Sequence, residues 1–333
     1  MSSQPRELFQ FLASQPRESF SVAGRIDARR HLARTFPKAL PLLVSHQSYP
    51  SYRQMVGDNW MHWHDYYELW VATRGAGEFR SGNHQFTFSP GDIVLVDPLK
   101  LHGVLRMQRA HMPLVLFFRT EAVATGGSEI DLAFLSAFDL RPEGISPIVR
   151  SESKYAPPIL SAIHDLAQAW FDRRIQERLL RLKLHLLETL LRLRVAFPSV
   201  DSASRDSAPV RAEREARLGR VLEYVSHHFH TPLSQPEVAR VAAMSPSRFR
   251  IFFKETTGWG FADYLRDFRL ERAAELLRDC SESVASVAYR TGFADQSHLQ
   301  RLFKAKYDIS PLAYRKRCTE IQTGRTVPVS QSV

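Results

Sequence analysis

The chain has 333 residues, 45 Lys+Arg against 35 Asp+Glu, a formal net charge of +10 and two cysteines. That length is enough for two separate cores, and the charge suits a polyanionic partner without identifying one. Two cysteines, Cys280 and Cys318, argue for reduced thiols and against a disulfide framework. The first residues lack the basic-then-apolar order of a signal peptide, and no apolar run is long enough to span a bilayer. A cytoplasmic protein with no membrane partner is therefore expected.

In chain order, residues 1–40 read as an N-terminal arm without a clear pattern, and residues 41–155 as an all-β domain. Short apolar runs at Glu68–Ala72, Gly77–Arg80, Gln85–Phe88 and Asp92–Val96 alternate with Gly, Pro, Asn and Asp, which predicts a small barrel or jelly roll. Within it stand His62, His64, Glu68 and Gly75 and, after Pro90-Gly91-Asp92 and Pro98, His102. This arrangement resembles the cupin pattern over roughly residues 40 to 110. Three imidazoles and a carboxylate are a set able to hold a divalent transition metal such as zinc, iron, manganese or nickel. The same letters also fit a structural brace between His64 and Glu68, with His62 and His102 directed at an organic effector. On strict alternation His62, His64, Tyr66 and Glu68 share one face and Trp63 the other. Trp60, Trp63, Tyr66, Tyr67 and Trp70 surround the segment, and aromatic faces in a barrel mouth suit a sugar or a flat ring, though they equally suit a core.

Residues 156–197 predict a long helical stretch from about Pro158 to Phe197. Leu179, Leu182, Leu186, Leu190 and Leu193 form one stripe, and Leu180, Leu184, Leu187 and Leu191 a second. One stripe can pack on the barrel while the other meets a second chain, giving a homodimer; an intramolecular helical hairpin also uses both. Residues 198–210, small, polar and bracketed by Pro198 and Pro209, read as a flexible linker. His227, His228 and His230 read as a helix end rather than a metal site.

Residues 211–320 contain an internal repeat, and residues 211–317 carry 19 basic and 13 acidic residues. Ser245, Ser247, Phe249, Phe253, Lys254 and Tyr264 recur fifty residues later as Asp295, Ser297, Leu299, Phe303, Lys304 and Tyr314. The upstream pair Val238-Ala239 recurs as Val287-Ala288, so each unit reads as helix, tight turn, helix. Ser234 and Glu237 form a capping box, Ser245-Pro246 opens the next helix, and Ser283 and Asp295 are the corresponding caps in the second unit. Phe249, Phe252 and Phe253, like Leu299, Leu302 and Phe303, recur at helical spacing and face a core. The opposite faces carry Ser247, Arg248, Arg250, Ile251 and Lys254 in the first unit. In the second they carry Gln296, Ser297, His298, Gln300, Arg301 and Lys304. Apart from Ile251 these are side chains suited to base edges and phosphates in double-stranded DNA. Ile251 fits either a thymine methyl or local packing. Residues 321–333 read as a tail.

The runs Phe253–Gly258, Tyr264–Ala274, Ala288–Phe293, Phe303-Lys304 and Ser310–Arg315 resemble the AraC/XylS family of bacterial transcription regulators over about a hundred residues. The resemblance implies an α+β multidomain chain, a cupin-like effector-binding barrel followed by an all-α domain with two helix-turn-helix units. It implies a rigid helix from about Phe261 to Leu277 that sets both recognition helices on one face of DNA. Asp308 departs from the family's usual glycine; aspartate tolerates a left-handed backbone better than most residues. The implied function is effector-responsive, sequence-specific regulation of transcription without catalysis, through a small-molecule effector, a homodimer and, for an activator, RNA polymerase. Competing readings are a metal-dependent cupin enzyme fused to a DNA-binding domain, and a regulator with an unliganded barrel.

Overall fold

The computed structural model describes residues 3–19, 27, 29–48, 61–107, 112–124, 129–139, 145–197, 208–279 and 282–322. The chain divides near residue 215 into two compact units. The first contains α1 (Ser3–Ala13), β1 (Glu18–Ser19), β2 (Leu42–Ser48), β3 (Tyr67–Arg74), β4 (Gly77–Ser81), β5 (His84–Phe88), β6 (Ile93–Val96), β7 (His102–Met107) and β8 (Met112–Phe118). It continues with α2 (Glu129–Ala133), α3 (Ser136–Asp139), β9 (Ile148–Val149), α4 (Ala156–Phe171) and α5 (Arg178–Ala196). One sheet has the order β1-β2-β8-β3-β6-β9 and the other β5-β4-β7, antiparallel except for the β1–β2 pair.

Alternation along these strands sorts two interiors. Tyr67, Leu69 and Val71 of β3, with Leu114, Leu116 and Phe118 of β8, share a core with Ile159, Leu160 and Ile163 of α4, Leu186 and Leu190 of α5, and Leu8 and Leu12 of α1. The opposite face of β3 presents Glu68 and Trp70, and Trp70 meets Phe79 of β4 and Phe88 of β5, so the two sheets close on each other. Tyr67 therefore belongs to the helical side, stacked on Phe118, and not to the barrel interior.

The predicted single helical stretch is two helices. It breaks between Phe171 and Arg178, where Glu177 takes a left-handed conformation, and α5 packs back against α4. Leu182, Leu186, Leu190 and Leu193 are buried in the first unit's own core. Leu179, grouped with them by spacing, is exposed, as are Leu180, Leu184 and Leu191, while Leu187 is partly buried. The hairpin thus uses one stripe internally and leaves the other uncovered.

The linker expected at 198–210 is shorter at its far end, because α6 (Ala208–His228) already includes residues 208–210. Pro209 sits in its first turn, where a missing N–H costs nothing. Residues 198–207 and 323–333, together with Trp60 and Cys280, lie outside the described residues.

The second unit contains the rest of α6, then α7 (Gln235–Val241), α8 (Pro246–Thr257), α9 (Phe261–Asp279), α10 (Val284–Arg290), α11 (Gln296–Tyr307) and α12 (Pro311–Gln322). Ser234 and Glu237 form the capping box at α7, and Ser245, Ser283 and Asp295 accept backbone N–H groups at the starts of α8, α10 and α11. Phe249 and Phe253 pack on Phe261 and Tyr264 of α9, and Leu299 and Phe303 share a core with Leu270, Ala273 and Leu277 farther along the same helix. Arg269 of α9 donates from Nε to the Phe229 carbonyl and from a terminal nitrogen to the Thr231 carbonyl, satisfying acceptors just beyond α6. His227 and His228 donate from Nδ1 to carbonyls one turn back, as residues at a helix end. Among the described residues no helix is long and apolar enough to cross a membrane.

Candidate functional site

In the second unit, α8 and α11 each present an exposed polar face. Ser247, Arg248, Arg250, Ile251 and Lys254 are exposed on α8, and Gln296, Ser297, Arg301 and Lys304 on α11. His298 and Gln300 are half-buried, and the His298 ring meets Phe293 edge-on. Ile251 is 54% exposed, so it is not a core residue of its own unit. Residue 251 corresponds to Arg301 in the fifty-residue repeat, which makes the two faces chemically unequal. Two features had no signal in the sequence. Lys306 lies on α11 yet turns its ammonium to Asp267 and Glu271 of α9, at 2.7 and 3.0 Å. Tyr289, on α10, is 82% exposed.

In the first unit, four predicted residues converge. The ligand atoms of His62, His64, Glu68 and His102 lie within 4.8 Å of one another, and all four residues are buried. The chain brings them together differently from regular alternation, since β3 begins only at Tyr67. His62 instead exchanges two backbone hydrogen bonds with His102 as an isolated bridge. His64 lies in the irregular segment between, with its ring stacked on Tyr66 at 3.9 Å. Trp63 is buried, and its indole N–H donates to the Arg29 carbonyl.

Both well-placed imidazoles have a fixed tautomeric sense. His64 Nδ1 is 2.9 Å from the Tyr66 carbonyl and His102 Nδ1 is 2.8 Å from the Lys100 carbonyl. A carbonyl only accepts, so each Nδ1 carries the proton and each Nε2 points inward. His64 Nε2 stands 2.9 Å and His102 Nε2 3.6 Å from Glu68 Oε2. Burial pulls the His64 pKa down to about 4, against the opposing pull of Glu68. Burial alone raises the Glu68 carboxyl, but contacts from His102 and His64 outweigh it and hold the group below the ordinary carboxylate range.

The wall around this cluster is aromatic and partly charged. Phe117 lies opposite Glu68 in the β3–β8 register, and the Arg34 guanidinium sits 3.7 Å over its ring. Tyr66 donates its hydroxyl to the Leu32 carbonyl, so that hydroxyl is engaged by the N-terminal segment. That segment was unreadable in the sequence. It is held by hydrogen bonds from Leu32 N–H to the Trp63 carbonyl and from Trp63 N–H to the Arg30 carbonyl. Asp65 adds an ion pair to Arg119 at 2.7 Å and a longer contact to His31.

Residues 52–183 match the family described as "AraC-like ligand binding domain" and residues 238–317 match "Helix-turn-helix domain". One chain therefore matches an AraC-like ligand-binding domain and, after it, a helix-turn-helix domain. The chain is 32% identical over 123 residues to the HTH-type transcriptional regulator GlxA of Rhizobium meliloti, covering 35% of this chain and 38% of that protein. It is 34% identical over 105 residues to the HTH-type transcriptional activator RhaS of Citrobacter koseri, again covering 38% of the relative. These matches span well under two thirds of the relatives' length. A longer match, 26% identical over 261 residues, covers 76% of this chain and 84% of the arabinose operon regulatory protein of Salmonella typhimurium.

Proposed function

We propose that this chain is an effector-responsive, sequence-specific DNA-binding regulator of transcription, acting in the cytoplasm. The observation that carries the reading is the pair of capped helices α8 and α11. Each has its apolar side in a core built on α9 and its polar side exposed. Ser247, Arg248, Arg250, Ile251 and Lys254 meet one major-groove segment, and Gln296, Ser297, His298, Gln300, Arg301 and Lys304 the next, roughly 34 Å along the duplex. The relatives' names as transcriptional regulators support it, as does the match to a ligand-binding domain. A small-molecule effector, a sugar or an aromatic compound, binds the barrel near His62, His64, Tyr66, Glu68 and His102. It acts by favouring one of two states of the protein. As an activator the protein would also contact RNA polymerase. Footprinting of the full chain on DNA flanking its gene tests the first claim: protection of two adjacent major-groove segments is expected, and uniform binding to all sequences would defeat it.

The uncovered stripe Leu180, Leu184 and Leu191 is the surface for a homodimer. Glutamate at these three positions should give a folded monomer, whereas Leu186 and Leu193, being core residues, would unfold on the same change. A wild-type protein that sediments as a monomer at micromolar concentration removes the dimer.

A further inference from the structure

We propose that Lys306 of α11, paired with Asp267 and Glu271 of α9, is a positioning residue that sets the tilt of the second recognition helix. In this role it gives base selectivity to one half of the DNA site while adding little to stability. The inference rests on the DNA-binding reading above.

The place of the lysine is what singles it out. Leu299 and Phe303 are buried on α11, and at helical spacing the next position on that side is Lys306. Its ammonium reaches Asp267 at 2.7 Å and Glu271 at 3.0 Å. The two carboxylates stand four residues apart on α9, on the side that also supplies Leu270, Ala274 and Leu277 to the second unit's core. Glu271 is only 4% exposed. Well-packed apolar residues in place of a buried ion pair are often neutral or stabilising, so stability does not account for charge here.

What the pair supplies is a fixed distance. Apolar side chains can repack over one another at modest cost, whereas a shift of α11 that takes the ammonium away leaves Glu271 buried without this cation. The position matters because the base-reading side chains lie at the other end of the helix. Ser297 is about 14 Å along α11 from Lys306. A tilt of about 10° would move its side chain by about 2 Å, more than a hydrogen bond to a base edge tolerates.

The first unit has no such charge. Thr256 stands at the corresponding place on α8, buried and neutral. Near its start α8 is tied to α7 instead, where Gln235 donates from Nε2 to the Pro246 carbonyl at 3.2 Å. Removing the ion pair should therefore disturb one half-site and spare the other.

The test is selection of preferred sites from a random duplex library by the full chain, with Arg301→Ala identifying the block of bases read by α11. The variant carries Asp267→Asn, Glu271→Met and Lys306→Met together, so that no buried charge is left behind. It should melt no lower than wild type. Enrichment of the α11 block should fall by about tenfold or more, the worth of one bidentate base contact. The α8 block, affinity for random DNA and the salt slope should be unchanged. A folded variant that enriches both blocks as wild type does, or loses both alike, overturns the proposal. So does a variant that melts well below wild type, because the ion pair would then be a brace of the fold. Wild-type protein that selects no site at all ends the DNA-binding reading instead, and this inference with it.

Discussion

In the first helix-turn-helix unit the turn residue is Ala243 at φ 52° and α8 closes on Gly258 at φ 79°; in the second, the turn is Gly292 at φ 77° and α11 closes on Asp308 at φ 63°. The two units thus need a left-handed backbone at the same two places and supply glycine at opposite ones. What repeats is the geometry, and the residue that meets it depends on the neighbours. Ala243 is exposed, so its Cβ bears only the intrinsic strain of about 1–2 kcal/mol. A Cβ at Gly292 would lie 2.7 Å from the Phe229 carbonyl oxygen and 2.9 Å from Arg269 Nε, on top of the hydrogen bond that ties α9 to the end of α6. Only one of the two turns has room for a side chain.

The largest expected effect uses that asymmetry. Gly292→Ala should destabilise the second unit by about 2–3 kcal/mol, since backbone strain and the displaced Arg269 add. Ala243→Gly should stabilise it. Equal effects of one sign in thermal melts would show the two turns to be equivalent after all. Next comes the contrast between Arg301 and its repeat counterpart Ile251. Arg301→Ala should lower affinity for a preferred site by about 1–3 kcal/mol and relax choice at one base pair. Ile251→Ala should lose about 1 kcal/mol or less, the worth of a methyl contact. Affinity loss for Arg301→Ala that is uniform over all sequences would reassign that side chain to phosphate. Asp308→Gly, matching the cap of α8, should gain about 1 kcal/mol in denaturant titrations, and a loss would mean that the aspartate side chain contributes more than its backbone strain costs.

A pH effect separates the first unit from the second. Burial, with Arg17 nearby, holds the His46 imidazole at a pKa of about 4 instead of 6.5. The unfolded chain therefore takes up a proton that the folded unit refuses, and stability is lost as pH falls from 6.5 towards about 4. Melts at pH 7 and pH 5 should show a shallower fall for His46→Gln than for wild type. Identical falls would remove His46 from the cause.

Local order was legible in the sequence wherever a short-range rule sufficed. The capping box at Ser234 and Glu237, the caps at Ser245, Ser283 and Asp295, and the alternating apolar runs of the sheets all appear where spacing put them. Histidines 62, 64 and 102 and Glu68 could be grouped, but by a face-sharing argument that the irregular segment before Tyr67 does not obey. The leucine stripes showed that two faces were apolar, yet the break at Glu177 depends on one left-handed residue that no periodicity reveals. Contacts across long separations left no trace. Tyr66 to Leu32, Arg34 over Phe117 and Lys306 to Asp267 pair residues whose sequence distance carries no pattern.

Lys306 changes how charge on this helix should be counted. It stands beside Arg301 and Lys304, and a tally of α11 would give DNA three cations to meet. With its ammonium between Asp267 and Glu271, it is already neutralised from inside the protein and displaces no counterion from a phosphate. The slope of log affinity against log salt should therefore fall by about one when Lys304 is replaced by alanine and stay unchanged for Lys306→Met. If the unit binds DNA as proposed, its positive charge overstates its electrostatic hold, and part of that charge serves instead to tie α11 to α9.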